Sequence, residues 1–149
     1  MSGITKAPVT SSAGEGHIEI VPWSYSAINA GTWAIAFDAT EIPVWNNSSA
    51  TNADACSYKA YLSAGTYTIA VVGRKFSVAG ITDFLIDAVS QGTLDWYDAG
   101  SVQNFRQTIA NIVVATSGLK TIQMLVNGKN AGSGGYQLRI GQIVAYRTA

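Results

Sequence analysis

The residues best equipped for chemistry fall in a few short runs. Asp95-Trp96-Tyr97-Asp98 sets two aromatic side chains between two carboxylates. An exposed ring beside hydrogen-bonding groups can stack on the face of a sugar, whereas a ring folded inward only packs, the commoner fate of a lone Trp. Trp45-Asn46-Asn47 repeats the combination, and Asn127-Gly128-Lys129 adds an amide and an amine in a tight turn. Trp45, Asp95, Trp96, Tyr97, Asp98, Asn127 and Lys129 are therefore the candidate contacts for a glycan or a protein partner. Asp83, Asp87, Asp95 and Asp98 are the densest acidic group. Paired carboxylates can cleave glycosidic bonds or bind Ca²⁺. This spacing is not that of an EF-hand loop, however, and no general acid stands apart, so Asp95 and Asp98 read as turn caps.

Other chemistries lack their parts. His17 is the sole histidine, which argues against a histidine-based metal site. Cys56 is the sole cysteine, so no internal disulfide forms, and it reads as a small buried hydrophobe in a strand. No helix follows any glycine cluster, as a phosphate loop requires. Gly132-Ser133-Gly134 lacks the strand–elbow–helix setting of a serine hydrolase, and Arg74-Lys75 is too short for a nucleic-acid site. The expectation is a protein that is not an enzyme, with no catalytic residue, metal or cofactor.

The 149 residues suit one core. Nine basic and nine acidic residues give zero net charge, which argues against capture of nucleic acid or an anionic membrane. Hydrophobic residues make up 48%, which excludes disorder, yet no run approaches the ~18 apolar residues of a membrane span. Charged residues are only 12%, too few to cover a typical monomer's exterior. Burial against identical copies accounts for the shortfall, and so does a neutral Ser/Thr/Asn/Gln surface. Residues 1–16 have no apolar periodicity and no apolar signal-peptide core. They read as an N-terminal arm, docked on a neighbouring subunit or added to the protein's own sheet edge, ahead of a β-sandwich domain over residues 17–149. A lone thiol fits synthesis in a reducing cytosol.

From residue 17 onward apolar residues alternate with period two. Runs over 17–21, 32–38, 54–62, 66–72, 83–89, 108–114, 119–126 and 136–147 read as strands. The best helical candidate, 102–110, is weak. Long loops fall at 43–53, 73–82, 92–107 and 127–135. Trp33, Ile35 and Phe37 share a face, as do Tyr136, Leu138, Ile140, Val144 and Tyr146. Gln142 after Gly141 marks either a bulge or one polar position in a continuous strand. Trp23 and Trp33 belong to the core or an interface. The fold class is all-β, a jelly-roll-like antiparallel β-sandwich.

Ala64-Gly65-Thr66-Tyr67-Thr68-Ile69, Gly92 to Tyr97, Ser117 to Ile122, Asn127 to Tyr136 and Ile143 to Arg147 carry a resemblance over about residues 30–147. They look like jelly-roll domains of tailed-phage structural proteins, and they also resemble carbohydrate-binding modules with a galactose-binding-like fold. The first likeness implies a virion protein made in a host cytoplasm, a homotrimer decorating or cementing a capsid beside other virion proteins. A short arm in place of a long stem fits decoration better than a fibre tip. The alternative it implies is a receptor- or glycan-binding tip whose partner is a host-surface glycan.

Overall fold

The structure, a computed structural model, describes residues 16–38 and 42–149. Almost all of the expected N-terminal arm lies outside the described residues. The strands are β1 (His17–Ile20), β2 (Ala27–Ala30), β3 (Trp33–Phe37), β4 (Pro43–Asn47), β5 (Ala55–Leu62) and β6 (Gly65–Phe76). There follow β7 (Ile81–Ile86), β8 (Val89–Asp95), β9 (Ser101–Val114), β10 (Gly118–Val126) and β11 (Arg139–Arg147). No helix occurs among the described residues.

The strands form two antiparallel sheets. One has the order β3-β4-β11-β6-β9, with β1 also paired to β11; the other runs β2-β5-β10-β7-β8. β4 pairs with β11 at Arg139 and Ile140, and β1 pairs with it from Ile143 to Tyr146. The two short strands thus share one edge of β11 end to end. Alternation supplies the core: Cys56, Tyr58, Ala60 and Leu62 of β5 and Ile122, Met124 and Val126 of β10 face Tyr67, Ile69, Val71, Ile140 and Ile143 from the other sheet. This is the all-β sandwich that the period-two pattern predicts.

Several local readings need correction. The run 83–89 is two strands, because Asp87 and Ala88 both take positive φ (48° and 69°) and turn the chain back. A two-residue hairpin turn needs that geometry, and here it is built without the usual Asn-Gly. The weak helical candidate 102–110 lies inside β9. Asn104 (φ 51°) and Asn111 (φ 60°) sit at the two shifts in the β6–β9 register and bulge that strand. Gly141 and Gln142 also mark a bulge, since the register slips between Ile140 and Gln142. Leu138 and Ile140 face the core before it and Ile143 and Ala145 after it, so Val144 and Tyr146 turn outward instead of continuing the inner face. Segments 43–53 and 92–107, read as loops, contain β4, most of β8 and the first half of β9. Trp33, Ile35 and Phe37 do share a face. Only Trp33 is covered, because β3 is an edge strand and Ile35 (48% exposed) and Phe37 (66%) overhang the opposing sheet.

Trp96 is the largest fully buried side chain. Its indole N–H donates to Thr82 Oγ1 at 2.8 Å, which satisfies the one polar atom it carries inward. A Cβ at Gly73 would come within 3.1 Å of its ring, so the indole fills its space tightly. Trp96→Ala should therefore cost about 3–5 kcal/mol of stability by urea denaturation. Thr82→Val, which orphans the indole N–H, should cost about 1–3 kcal/mol.

Candidate functional site

The β2–β3, β4–β5, β6–β7, β8–β9 and β10–β11 connections gather at one end of the sandwich. Buried polar groups lock them together. The Asn47 side chain is fully buried: Nδ2 donates to Asp54 Oδ2 (2.9 Å) and to the Tyr136 carbonyl (3.0 Å), while Oδ1 accepts the Leu138 amide (2.6 Å). Asp54 Oδ2 also accepts Ser49 Oγ (2.7 Å) and Thr51 N (2.9 Å). Gly31 (φ 82°) packs so closely that any Cβ there would collide with the Asp54 carboxylate. Ser133 is buried and donates to the Ala79 carbonyl (2.7 Å), an anchor and not a nucleophile.

Beside this hub lies the Asp95–Asp98 segment. Asp95 Oδ1 accepts the Tyr97 amide (2.9 Å) and Oδ2 accepts Asn130 Nδ2 (2.8 Å). Asp98 Oδ1 accepts the Gly100 amide (2.8 Å). Both aspartates cap turns, as the sequence predicts, and Asp95 also ties the β8–β9 turn to the β10–β11 loop. Tyr97 is half-buried, and its hydroxyl makes no hydrogen bond among the described residues. A Cβ at Gly132 would approach that hydroxyl to 2.8 Å, so the Gly132 backbone lies against the ring. Lys129 sits over the Tyr136 ring at 5.0 Å. Asn127 is exposed and reaches Asp83 only at 3.4 Å.

Five of the seven sequence candidates thus gather at the loop end: Asp95, Tyr97, Asp98, Asn127 and Lys129. The two tryptophans do not serve as contact surfaces. Trp96 is enclosed beneath the loops. Trp45 (4% exposed) is the middle of a stack, 6.0 Å from Trp33 and 5.5 Å from Tyr25, and the exposed member of that stack is Tyr25. Asn130 and Asp54 were not among the sequence candidates, and Asn47 was marked only as part of Trp45-Asn46-Asn47, because the partners that give these residues their roles, 35, 7 and 89 residues away, are not visible in the sequence.

Elsewhere, burial pushes the Cys56 thiol up, and its neighbours Tyr58 and Trp45 oppose that only in part. A cleft of about 240 Å³ at the far end is lined by Val89, Val113, Asp87 and Lys120 among others and holds no aromatic ring. Among the described residues no three His, Cys, Asp or Glu side chains come together to hold a metal.

No protein-family model matches the chain, and no curated protein sequence does. Solved structures do. The CBM36-1 domain of a multidomain xylanase from the hindgut metagenome of Trinervitermes trinervoides superposes with a TM-score of 0.69 at 20% identity, over 87% of this chain and 95% of that one. A carbohydrate-binding module CBM36 in complex with calcium and xylotriose gives 0.65 at 19%, over 85% and 97%. The module CBM6cm-2 from Cellvibrio mixtus lichenase 5A, in complex with cellotriose, gives 0.62 at 20%, over 89% and 98%. The chain therefore has the jelly-roll fold of carbohydrate-binding modules. These neighbours carry that half of the expected resemblance; they lend no support to the virion half or to the homotrimer.

The calcium of one neighbour prompts a test of fit at this loop end. Asp54 Oδ2 and both Asp95 oxygens are occupied by protein donors, and no third acid joins either. Among the described residues the loop end thus gathers no set of three acids of the kind a carboxylate-rich calcium centre uses.

Asp95→Ala removes the tie between two loops. It should lower stability by about 1–2 kcal/mol and speed hydrogen exchange at the Tyr97 and Gly132 amides, while leaving exchange in β5 and β10 unchanged.

Proposed function

We propose that this chain is a non-catalytic glycan-binding domain that receives a neutral oligosaccharide at its loop end, with Tyr97 as the stacking ring. The observation that carries this reading is the state of Tyr97. Its ring is half-exposed where five connections converge, its hydroxyl is unspent, and its backbone is held by Asp95. Gly132 contributes no side chain that would cover the ring. Rings held in this way present apolar area at low entropic cost. Asn127 and Lys129 are exposed nearby, and the second oxygen of Asp98 makes no hydrogen bond among the described residues. These groups suit the hydroxyls of a sugar.

Two neighbours of the same fold are named as complexes with xylotriose and cellotriose, which supports this reading over capsid decoration. Fold alone does not fix function, so the residues must decide it. Titration calorimetry with xylotriose and cellotriose, after a glycan array, tests the proposal. Tyr97→Ala should weaken binding about tenfold or more, ~1.4 kcal/mol, with the melting temperature nearly unchanged because the ring is not in the core. An array with no signal above background, or full affinity in Tyr97→Ala, rejects it.

A further inference from the structure

The zero net charge hides an uneven placement of the arginines, although Glu19 shares their sheet and Lys59 and Lys120 lie on the other. All four arginines, Arg74, Arg106, Arg139 and Arg147, lie on strands of the β1/β3/β4/β6/β9/β11 sheet. Asp54, Asp83, Asp87, Asp95 and Asp98 lie on the other sheet or in the loops. Arg74 and Arg139 point away from the core. Their neighbours Gly73 and Ile140 point inward, as shown by the Ile140 and Trp96 atoms that a Cβ at Gly73 would meet. Arg106 is exposed on the same outer face, where it reaches the Tyr146 hydroxyl.

Arg74 and Arg139 share one aromatic ring. Their guanidinium carbons lie 5.0 and 5.9 Å from the centroid of Phe76. Neither makes an ion pair among the described residues. Arg74 Nε donates to Ser101 Oγ (3.0 Å), whereas Arg139 Nε is buried without an acceptor. Beside it, the cross-strand partner Asn46 is 7% exposed with a buried, unpartnered Oδ1. Buried polar atoms are nearly always paired. Here a donor and an acceptor on paired positions of neighbouring strands both lack partners, close to two like charges. Burial and the charge of Arg74 both press the Arg139 guanidinium downward in basicity, and Asp38 opposes them.

The geometry points to a second binding site, on the outer face of the β6–β11 pair, for a carboxylate-bearing polysaccharide held by Arg74 and Arg139. A uronic acid residue carries both missing partners. Its carboxylate matches the planar donors of a guanidinium, and its hydroxyls can donate to Asn46 Oδ1. The Arg139 head makes no hydrogen bond among the described residues; it lies over the Phe76 ring within the field of Asp38, and a ligand carboxylate would supply the acceptor that its Nε lacks. Asp38 borders the pair, with Oδ1 accepting from the Ile42 amide (3.3 Å). In the amide orientation that satisfies both groups, Gln103 Nε2 donates to Asp38 Oδ2 (2.8 Å) and Gln103 Oε1 accepts from Arg74 Nε (3.2 Å). An acid at the rim repels densely charged chains more than a polymer with one carboxylate per sugar.

The experiment is affinity electrophoresis and calorimetry of the full chain with polygalacturonate, with dextran sulfate and neutral xylan as comparison arms. Polygalacturonate should bind, more weakly as salt is raised, and better than dextran sulfate. Arg74→Gln and Arg139→Gln should each weaken it about tenfold, and the exposed Arg106→Gln should weaken it less. If Arg139→Gln fails to fold, Arg74→Gln decides alone. Tyr97→Ala should keep polygalacturonate binding, which separates this site from the loop end. No binding of polygalacturonate, equal affinity in Arg74→Gln, stronger binding of dextran sulfate, or loss in Tyr97→Ala would each overturn the assignment.

Discussion

The loop end depends on one enclosed amide. Asn47 has no solvent to bond with, so each of its polar atoms must find protein partners or destabilise the fold. It finds them in Asp54, Tyr136 and Leu138, which lie on two connections far apart in sequence. An Asn side chain can hold two donors and an acceptor in one plane, and few other residues of this size can. The β10–β11 loop is thereby pinned to the β4–β5 turn. From that pinned loop Asn130 reaches Asp95, and Asp95 in turn holds Tyr97. The position of the candidate stacking ring thus follows from a chain of satisfied polar groups that begins in the core.

A second constraint works from below. Trp96 and Tyr97 are adjacent just past the end of β8, and their side chains part ways: Trp96 is fully buried and Tyr97 only half so. Burial of the indole, with its N–H on Thr82, leaves the phenol ring to face the loops. The dipeptide is therefore a fixed anchor followed by a presented ring, each placed by the other. Substitution of the anchor disturbs the fold before it disturbs any contact surface.

The strands were legible where apolar residues alternate without interruption, as in β5, β6 and β10. They were illegible where a residue outside the usual turn set takes positive φ. Asp87-Ala88 turns the chain as tightly as Asn-Gly but carries no such signature, and Asn104 and Asn111 bulge β9 inside a run that resembles a weak helix. At Gly141 the sequence left two readings open, and only the register shows that the inner face changes parity there. The loop-end cluster was legible in part. Asp95, Tyr97, Asp98, Asn127 and Lys129 were marked by residue type and proximity, but Trp45 and Trp96 were marked by type alone. A tryptophan's size makes it a good ring for a ligand and an equally good core filler, and only burial separates the two.

The charge balance shows how a whole-chain quantity can mislead about a site. Net charge governs steering at distances beyond a Debye length, about 8–10 Å. A neutral total therefore argues against capture of long, densely charged polymers by the molecule as a whole. It says little about two guanidiniums that share one ring, with no ion-pair partner among the described residues. In a chain this poor in charge, Asp95 and Asp98 serve as turn caps and a loop tie, while the four arginines collect on one sheet. The low charge count first invites an explanation by oligomerisation. The described surface offers another, because exposed Ser, Thr, Asn and Gln bond to each other and to the backbone, as Thr51 does with the Ser49 carbonyl and Ser48 with the Thr32 carbonyl. Charges that remain on such a surface have few competitors, so a local pair acts on its own neighbourhood with little averaging by the rest of the molecule.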